Sequence, residues 1–163
     1  MICLIFVLNI PGLDVFLRKN EMTEIKEALI NIEASDVIHS DIGVIWKLMR
    51  EINRWPEWNK TISFAQLEGV FVKGNPFKWT NGVNIKSTLE DVVINKRIVW
   101  SSRSVGVKTT QCWDFKKTDD GIFVTVSQSA EGWLTKIAGA AIHKKLYKNL
   151  HDFLSSLKSA AEK

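Results

Sequence analysis

Residues 134–161, LTKIAGAAIHKKLYKNLHDFLSSLKSAA, decide the fold class. The stretch contains no proline, and its apolar residues recur every three or four positions, at Ile142, Leu146, Leu150, Phe153, Leu154 and Leu157. This spacing predicts an amphipathic helix of about 28 residues, roughly 42 Å long. A chain of 163 residues fits one domain. A helix this long must therefore cross the whole domain.

The preceding section, residues 61–128, has the alternation of apolar and polar residues that is typical of strands. Five such runs are centred near Phe77, Ile85, Trp100, Trp113 and Val124. Turn sequences separate them: Gly74-Asn75-Pro76, Asn81-Gly82, Asn95-Lys96 and Asp119-Asp120-Gly121. Short strands joined by short turns predict an antiparallel meander, because parallel strands need long crossover connections.

Before the meander, residues 27–39 alternate as a strand and residues 41–52 have helical spacing. Ser40 is the predicted N-cap of this helix. Pro56, within Arg54-Trp55-Pro56-Glu57-Trp58-Asn59, is predicted to stop it. Together these elements predict an α+β domain in which a curved antiparallel sheet of six to seven strands wraps around the C-terminal helix.

The first thirteen residues, MICLIFVLNIPGL, are an apolar run that is too short to span a bilayer. They lack the basic start and the small-residue cleavage site of a signal peptide. Three interpretations stay open: a translation start at Met22, an added strand, or an added short helix that docks on the domain. We therefore predict an N-terminal extension over residues 1–26 and a ligand-binding domain over residues 27–163.

Composition excludes several classes of function. The net charge is +4, but Lys and Arg are scattered and no nucleic-acid motif accompanies them, so we expect no nucleic-acid partner. The histidines are not clustered and there are two cysteines, which predicts neither a metal site nor a disulfide framework. We expect no cofactor, no stable membrane insertion and a cytoplasmic location; a protein partner cannot be named.

The order of these elements resembles the SRPBCC superfamily, which includes START lipid-transfer domains, polyketide cyclase/dehydrase-like proteins and birch-pollen-allergen-like proteins. The resemblance covers residues 27–163. It is carried by Val44-Ile45-Trp46, Asn53-Arg54-Trp55-Pro56-Glu57-Trp58-Asn59, Leu67-Glu68-Gly69, Gly74, Phe77, Trp100, Trp113-Asp114-Phe115, Ser129-Ala130-Glu131-Gly132 and the C-terminal Leu157-Lys158-Ser159-Ala160-Ala161-Glu162. The polyketide cyclase/dehydrase-like group is the most similar. The resemblance implies a helix-grip fold.

The favoured function is non-covalent binding or transport of a small lipophilic molecule between the sheet and the long helix. Tryptophans would form the wall, small helical residues would leave the space open, and a few polar groups would orient the ligand. The alternative interpretation, a solid core, stays open. The predicted ligand-binding residues are Phe77, Trp79, Ile85, Leu89, Trp100, Ser102, Gln111, Trp113, Gln128, Ala138, Gly139 and Ile142.

Two other functions remain as alternatives. A polyketide cyclase/dehydratase-like enzyme would need a titratable group in the cavity, and His39 is the candidate base. Relatives in this superfamily often carry a carboxylate where this chain has Gln128, and its absence weakens the case for an acid or base on that strand. No catalytic residue is predicted. A protein-interaction module would need an exposed apolar patch, beside the basic face of the long helix.

Overall fold

The structure, a computed structural model, describes residues 30–163. Predictions that fall on earlier residues, namely the extension over 1–26, the start at Met22 and the first residues of strand 27–39, lie outside this range. The described elements, in chain order, are β1 (Ile30–Ile38), α1 (Ile42–Arg50), a 3₁₀ turn (Ile52–Arg54), α2 (Trp55–Trp58), β2 (Phe64–Leu67), β3 (Pro76–Thr80), β4 (Asn84–Val93), β5 (Arg97–Ser104), β6 (Val107–Thr118), β7 (Gly121–Glu131) and α3 (Trp133–Ala161).

The strands form one antiparallel sheet of seven strands in the order β1-β7-β6-β5-β4-β3-β2. Each consecutive pair from β2 to β7 is joined by a short connection, as expected of a meander, and β1 pairs with the last strand. The predicted α+β helix-grip fold is confirmed. No helix among residues 30–163 is long and apolar enough to cross a membrane.

The helix α3 packs against one face of the sheet, here called the inner face, mainly along β1. Its buried residues Leu150, Phe153, Leu154 and Leu157 join inner-face residues of the strands in one core. Side chains alternate across each strand, so Ile98, Trp100 and Ser102 of β5 face the core while Val99 and Ser101 face outward. The inner face is the one that positions the site.

Three local predictions differ from the structure. Asp41, not Ser40, caps α1, because its side chain accepts a hydrogen bond from the Gly43 N–H at 2.6 Å. Pro56 does not stop α1, which already ends at Arg50; it lies in the first turn of α2, where a missing N–H is harmless. The long helix is interrupted at Ala138, whose backbone is non-helical.

Candidate functional site

A cavity of about 250 Å³ lies between the inner face of the sheet and α3. The walls come from the β3–β4 and β5–β6 hairpins, from β7 and from one side of α3. The lining residues are Trp79, Asn81, Val83, Ile85, Ser102, Ser104, Val105, Val107, Thr109, Gln111, Gln128, Leu134, Ile142, Lys145, Leu146, Asn149, Leu150 and Phe153. Most of this lining is apolar, so the cavity suits an apolar occupant.

One wall carries a buried chain of hydrogen bonds. The Trp79 indole N–H donates to the Ser87 hydroxyl at 2.9 Å, and the hydroxyls of Ser87 and Ser102 are 2.8 Å apart. The two serines are direct partners across β4 and β5, which explains why their side chains meet. Because both hydroxyls are satisfied within the protein, this wall fixes the Trp79 ring without needing a ligand.

A second polar group lies deeper along the same face. Gln111 of β6 and Gln128 of β7 are direct cross-strand partners, and both line the cavity. Gln111 is only 5% exposed. Burying an amide inside an apolar cavity is unfavourable unless the amide makes hydrogen bonds. These two residues can therefore orient a ligand that carries a polar group.

The mouth of the cavity is formed where the β5–β6 turn meets the start of α3. The Leu134 N–H donates to the Gly106 carbonyl at 3.2 Å, which ties the helix to the turn. A Cβ on Gly106 would lie 2.7 Å from the Trp133 ring, so only glycine allows this approach. Val105 in this turn is 82% exposed and also lines the cavity. The mouth is thus rimmed by exposed apolar side chains.

Six of the twelve predicted ligand-binding residues lie on the cavity lining: Trp79, Ile85, Ser102, Gln111, Gln128 and Ile142. The structure brings these six together from β3, β4, β5, β6, β7 and α3. They are neighbours because the antiparallel registers align the strands, with Ser102 opposite Thr109 and Gln111 opposite Gln128. Their role in ligand binding remains a prediction.

The other predicted wall residues, Phe77, Leu89, Trp100 and Trp113, do not line this cavity. They are 2%, 0%, 1% and 0% exposed and belong to the core. Trp100 and Trp113 stack on each other with ring centroids 6.2 Å apart. Around Trp100 and Trp113, the aromatic rings fill the space between the sheet and the helix, as the solid-core alternative predicts.

Ala138 and Gly139 do not form the predicted floor. The backbone of α3 is non-helical at Ala138, and neither residue lines the cavity. A Cβ added to Gly139 would meet nothing within 4 Å. On the helix side, the cavity is lined by Leu134, Ile142 and Leu146. The run of small residues does not contribute to it.

Sequence reasoning missed twelve of the eighteen lining residues, and two groups of these show why. Thr109 and Val107 precede Gln111 on the same face of β6, so the period of two could have identified them. Leu146, Leu150 and Phe153 belong to the apolar positions that predicted the helix, and each also borders the cavity. The sequence pattern does not indicate that one side of a side chain packs in the core while its other side borders a cavity.

The described part of the lining contains no Asp, Glu, His or Cys, and Lys145 is its single titratable side chain. His39 lies elsewhere, at the end of β1. Its ring Nδ1 is 2.5 Å from the Asp120 carbonyl, and its backbone N–H donates to Glu162 at 2.8 Å. Within residues 30–163 no group of His, Cys, Asp and Glu side chains could hold a metal ion.

Comparison with known proteins finds similarity in structure and not in sequence. No family model matches the chain, and no curated protein matches it in sequence. A hypothetical protein from Helicobacter pylori superposes with a TM-score of 0.74 at 11% identity, covering 99% of each chain. A START superfamily protein from Mycobacterium smegmatis gives 0.69 at 12% identity, covering 81% of this chain and 97% of that one.

The di-domain ARO/CYC StfQ of the steffimycin biosynthetic pathway gives a TM-score of 0.71 at 15% identity. The match covers 95% of this chain and 62% of StfQ. Likenesses at such low identity establish the fold. The predicted resemblance is confirmed at that level: the chain has the helix-grip fold of START and ARO/CYC proteins.

Proposed function

We propose that this protein binds a small lipophilic molecule non-covalently in the cavity between the sheet and α3. The observation that carries the proposal is an apolar cavity with a small polar group at one end, Gln111 beside Gln128. Apolar burial supplies the affinity, at roughly 25 cal/mol for each Å² removed from water. The buried amide of Gln111 and the half-buried amide of Gln128 select ligands that can hydrogen-bond to them.

The size of the cavity limits the ligand. Its volume of about 250 Å³ lies just below the lower end of typical ligand pockets, roughly 300 Å³. The enclosed part of the ligand is therefore a single ring system or a short acyl chain. A longer ligand would extend through the mouth beside Val105, which is largely exposed.

Binding is favoured over catalysis by the chemistry of the lining. The cyclase-like alternative needs an acid or base that can reach the ligand, and the described lining offers no carboxylate or imidazole. His39, the candidate base, lies outside the lining, with its ring nitrogen against the Asp120 carbonyl. We therefore do not propose for this chain the activity that the name ARO/CYC gives to StfQ.

The proposal is tested by filling the cavity. Ile142 lines it from α3 and is half-buried, so Ile142→Trp places a large ring in the open space. Ala140→Trp is the matched control, because Ala140 lies on the same helix, is exposed and does not line the cavity. Titration with the fluorescent probe 1-aminoanthracene measures the affinity of each variant.

We expect Ile142→Trp to weaken probe binding at least tenfold, which corresponds to about 1.4 kcal/mol. Ala140→Trp should bind like the parent. Equal probe affinities for the parent and Ile142→Trp, in a variant that still unfolds cooperatively, would exclude this cavity as the binding site.

A further inference from the structure

Lys145 gives the lining of the cavity a positive charge. It belongs to α3, borders the cavity and is exposed, so its side chain connects the apolar lining to solvent. Within the described residues, no Asp or Glu lies on the lining, and Lys145 takes part in no ion pair. An apolar cavity with an ammonium group at its border favours a ligand that brings the opposite charge.

The helix around Lys145 offers it no acidic partner. Residues three and four positions away are neighbours on the surface of a helix, and for Lys145 these are Ala141, Ile142, Lys148 and Asn149. The first acidic residue after Lys145 is Asp152, and its carboxylate is paired with Lys148 at 2.5 Å. This carboxylate is therefore already engaged with another lysine.

The acidic side chain beside the β5–β6 turn is engaged in the same way. Glu131 ends β7, and its carboxylate lies 2.8 Å from the ammonium group of Lys108 on β6. Neither Glu131 nor Asp152 is left to balance the charge of Lys145.

Asn149 adds a second donor next to this charge. It follows Lys145 by one turn of the helix, is half-buried and also lines the cavity. Within the described residues its side-chain amide makes no hydrogen bond. An ammonium group and an amide N–H on neighbouring turns can each donate to one oxygen of a carboxylate.

This inference rests on the proposed function and names the class of ligand. We propose that the ligand is an apolar carboxylic acid, bound as its anion. Its ring system or short acyl chain fills the cavity, and its carboxylate pairs with Lys145 and Asn149. A single lysine balances a single negative charge, so a carboxylate suits the site better than a dianionic phosphate. Because Lys145 is exposed, the ion pair is partly screened by water, and it adds selectivity to the affinity that apolar burial supplies.

Two ligands of nearly the same shape test the proposal. At neutral pH 2-naphthoate is an anion and 2-naphthamide is neutral, while their ring systems are identical. Each is titrated in competition with the fluorescent probe 1-aminoanthracene, at low ionic strength, where pairs of charges are least screened. The affinity of each ligand is measured for the parent and for each variant.

Lys145→Met removes the charge and keeps most of the length of the side chain. It should weaken binding of 2-naphthoate about fivefold or more and leave binding of 2-naphthamide within about twofold of the parent. Lys145→Arg keeps the charge and should retain the affinity for 2-naphthoate. Lys144→Met is the matched control, because Lys144 is exposed on the same helix, carries the same charge and does not line the cavity. It should bind both ligands like the parent.

Equal affinities of Lys145→Met and Lys144→Met for 2-naphthoate would overturn the proposal, and so would failure of 2-naphthoate to compete with the bound probe. In both cases binding of the neutral probe would leave the proposed function standing. Equal losses for the two ligands in Lys145→Met would assign Lys145 a packing role through its methylene groups and would also overturn the proposal. A probe that does not bind the parent would overturn the proposed function and this proposal together.

Discussion

The ring of Phe153 meets the indole of Trp55 edge to face, with centroids 5.2 Å apart and planes at 87°. Phe153 belongs to α3 and Trp55 begins α2, so this contact joins the long helix to the short helix after α1. The same Phe153 ring packs on Trp113 and also borders the cavity. The aromatic cluster around Trp55 therefore closes one end of the cavity as well as filling the core.

Trp55→Ala should be strongly destabilising. Trp55 is fully buried and contacts Phe77, Trp79, Trp100 and Phe153. Truncating a large aromatic in a core costs about 3–5 kcal/mol. Trp58→Ala is the matched comparison, because Trp58 is only half-buried and its one ring contact is Phe153 among the described residues. Chemical denaturation should show the larger loss for Trp55; equal losses would contradict the packing.

The fold was largely predictable because its signals are periodic. The period of about 3.6 over residues 134–161 identified α3 within one residue at its start, and alternation identified β3 to β7. Strand β2 escaped separate prediction, since Phe64–Leu67 has only four residues and lies at the sheet edge. The role of Pro56 was wrong because proline fits a helix start as well as a stop.

The cavity was less predictable than the fold. Alternation correctly placed Trp79, Trp100 and Trp113 on the inner face, yet only Trp79 borders the cavity. All three rings contact Trp55 or Phe153 from the helices. Trp100 and Trp113 also stack on each other and are at most 1% exposed, whereas Trp79 is 8% exposed. A period of two assigns a face, but it does not say what packs against each position along the strand.

The glycine at the start of α3 should be irreplaceable. Gly132 has φ +126°, and a Cβ there would lie 2.3 Å from the Gly106 carbonyl oxygen. Gly132→Ala should therefore lower Tm substantially through strain and loss of the turn–helix contact. Gly139→Ala is the control, since its Cβ meets nothing within 4 Å and alanine favours the helix by about 1 kcal/mol. Thermal melts should separate the two, and a Gly132→Ala variant as stable as its parent would refute the clash.

The ion pair between Asp36 and Lys158 should make stability depend on pH. Lys158 donates to the Asp36 carboxylate at 2.8 Å. This hydrogen bond holds the pKa of Asp36 below its ordinary value and raises the pKa of Lys158. The contribution of Asp36 is present above its unfolded-state pKa and is lost as pH falls through its folded-state pKa. The contribution of Lys158 to stability is lost only in strong alkali, as the pH rises through its raised pKa.

Asp36→Asn should therefore lower Tm slightly near neutral pH, because the pair is partly exposed and weakly stabilising. The difference in Tm between Asp36→Asn and the parent should disappear in acid, where the parent carboxylate is protonated. Asp119→Asn, in the turn between β6 and β7, is the control and should melt like the parent near neutral pH. A gap that persists unchanged at low pH would show that Asp36 acts without its charge.

Gln111→Leu should change ligand preference more than stability. Gln111 supplies a buried amide to the apolar cavity, so its loss should weaken binding of a ligand with a polar group by about 1–3 kcal/mol. Affinity for a pure hydrocarbon such as naphthalene should be unchanged or improved. Isothermal titration with naphthalene and 2-naphthol measures both, and parallel losses for the two ligands would indicate a general disruption of the cavity.

The most direct test of the cavity is the nuclear magnetic resonance spectrum of the indole N–H groups. The chain has seven tryptophans. Among the described ones, Trp79 borders the cavity, while Trp46 packs against Phe71 and Phe115. Trp79→Phe assigns the Trp79 signal. On titration with 2-naphthol, we predict saturable shifts of the Trp79 indole resonance and little change at Trp46. A saturable shift at Trp46 with Trp79 unmoved, or no shift at any indole, would contradict ligand binding in this cavity.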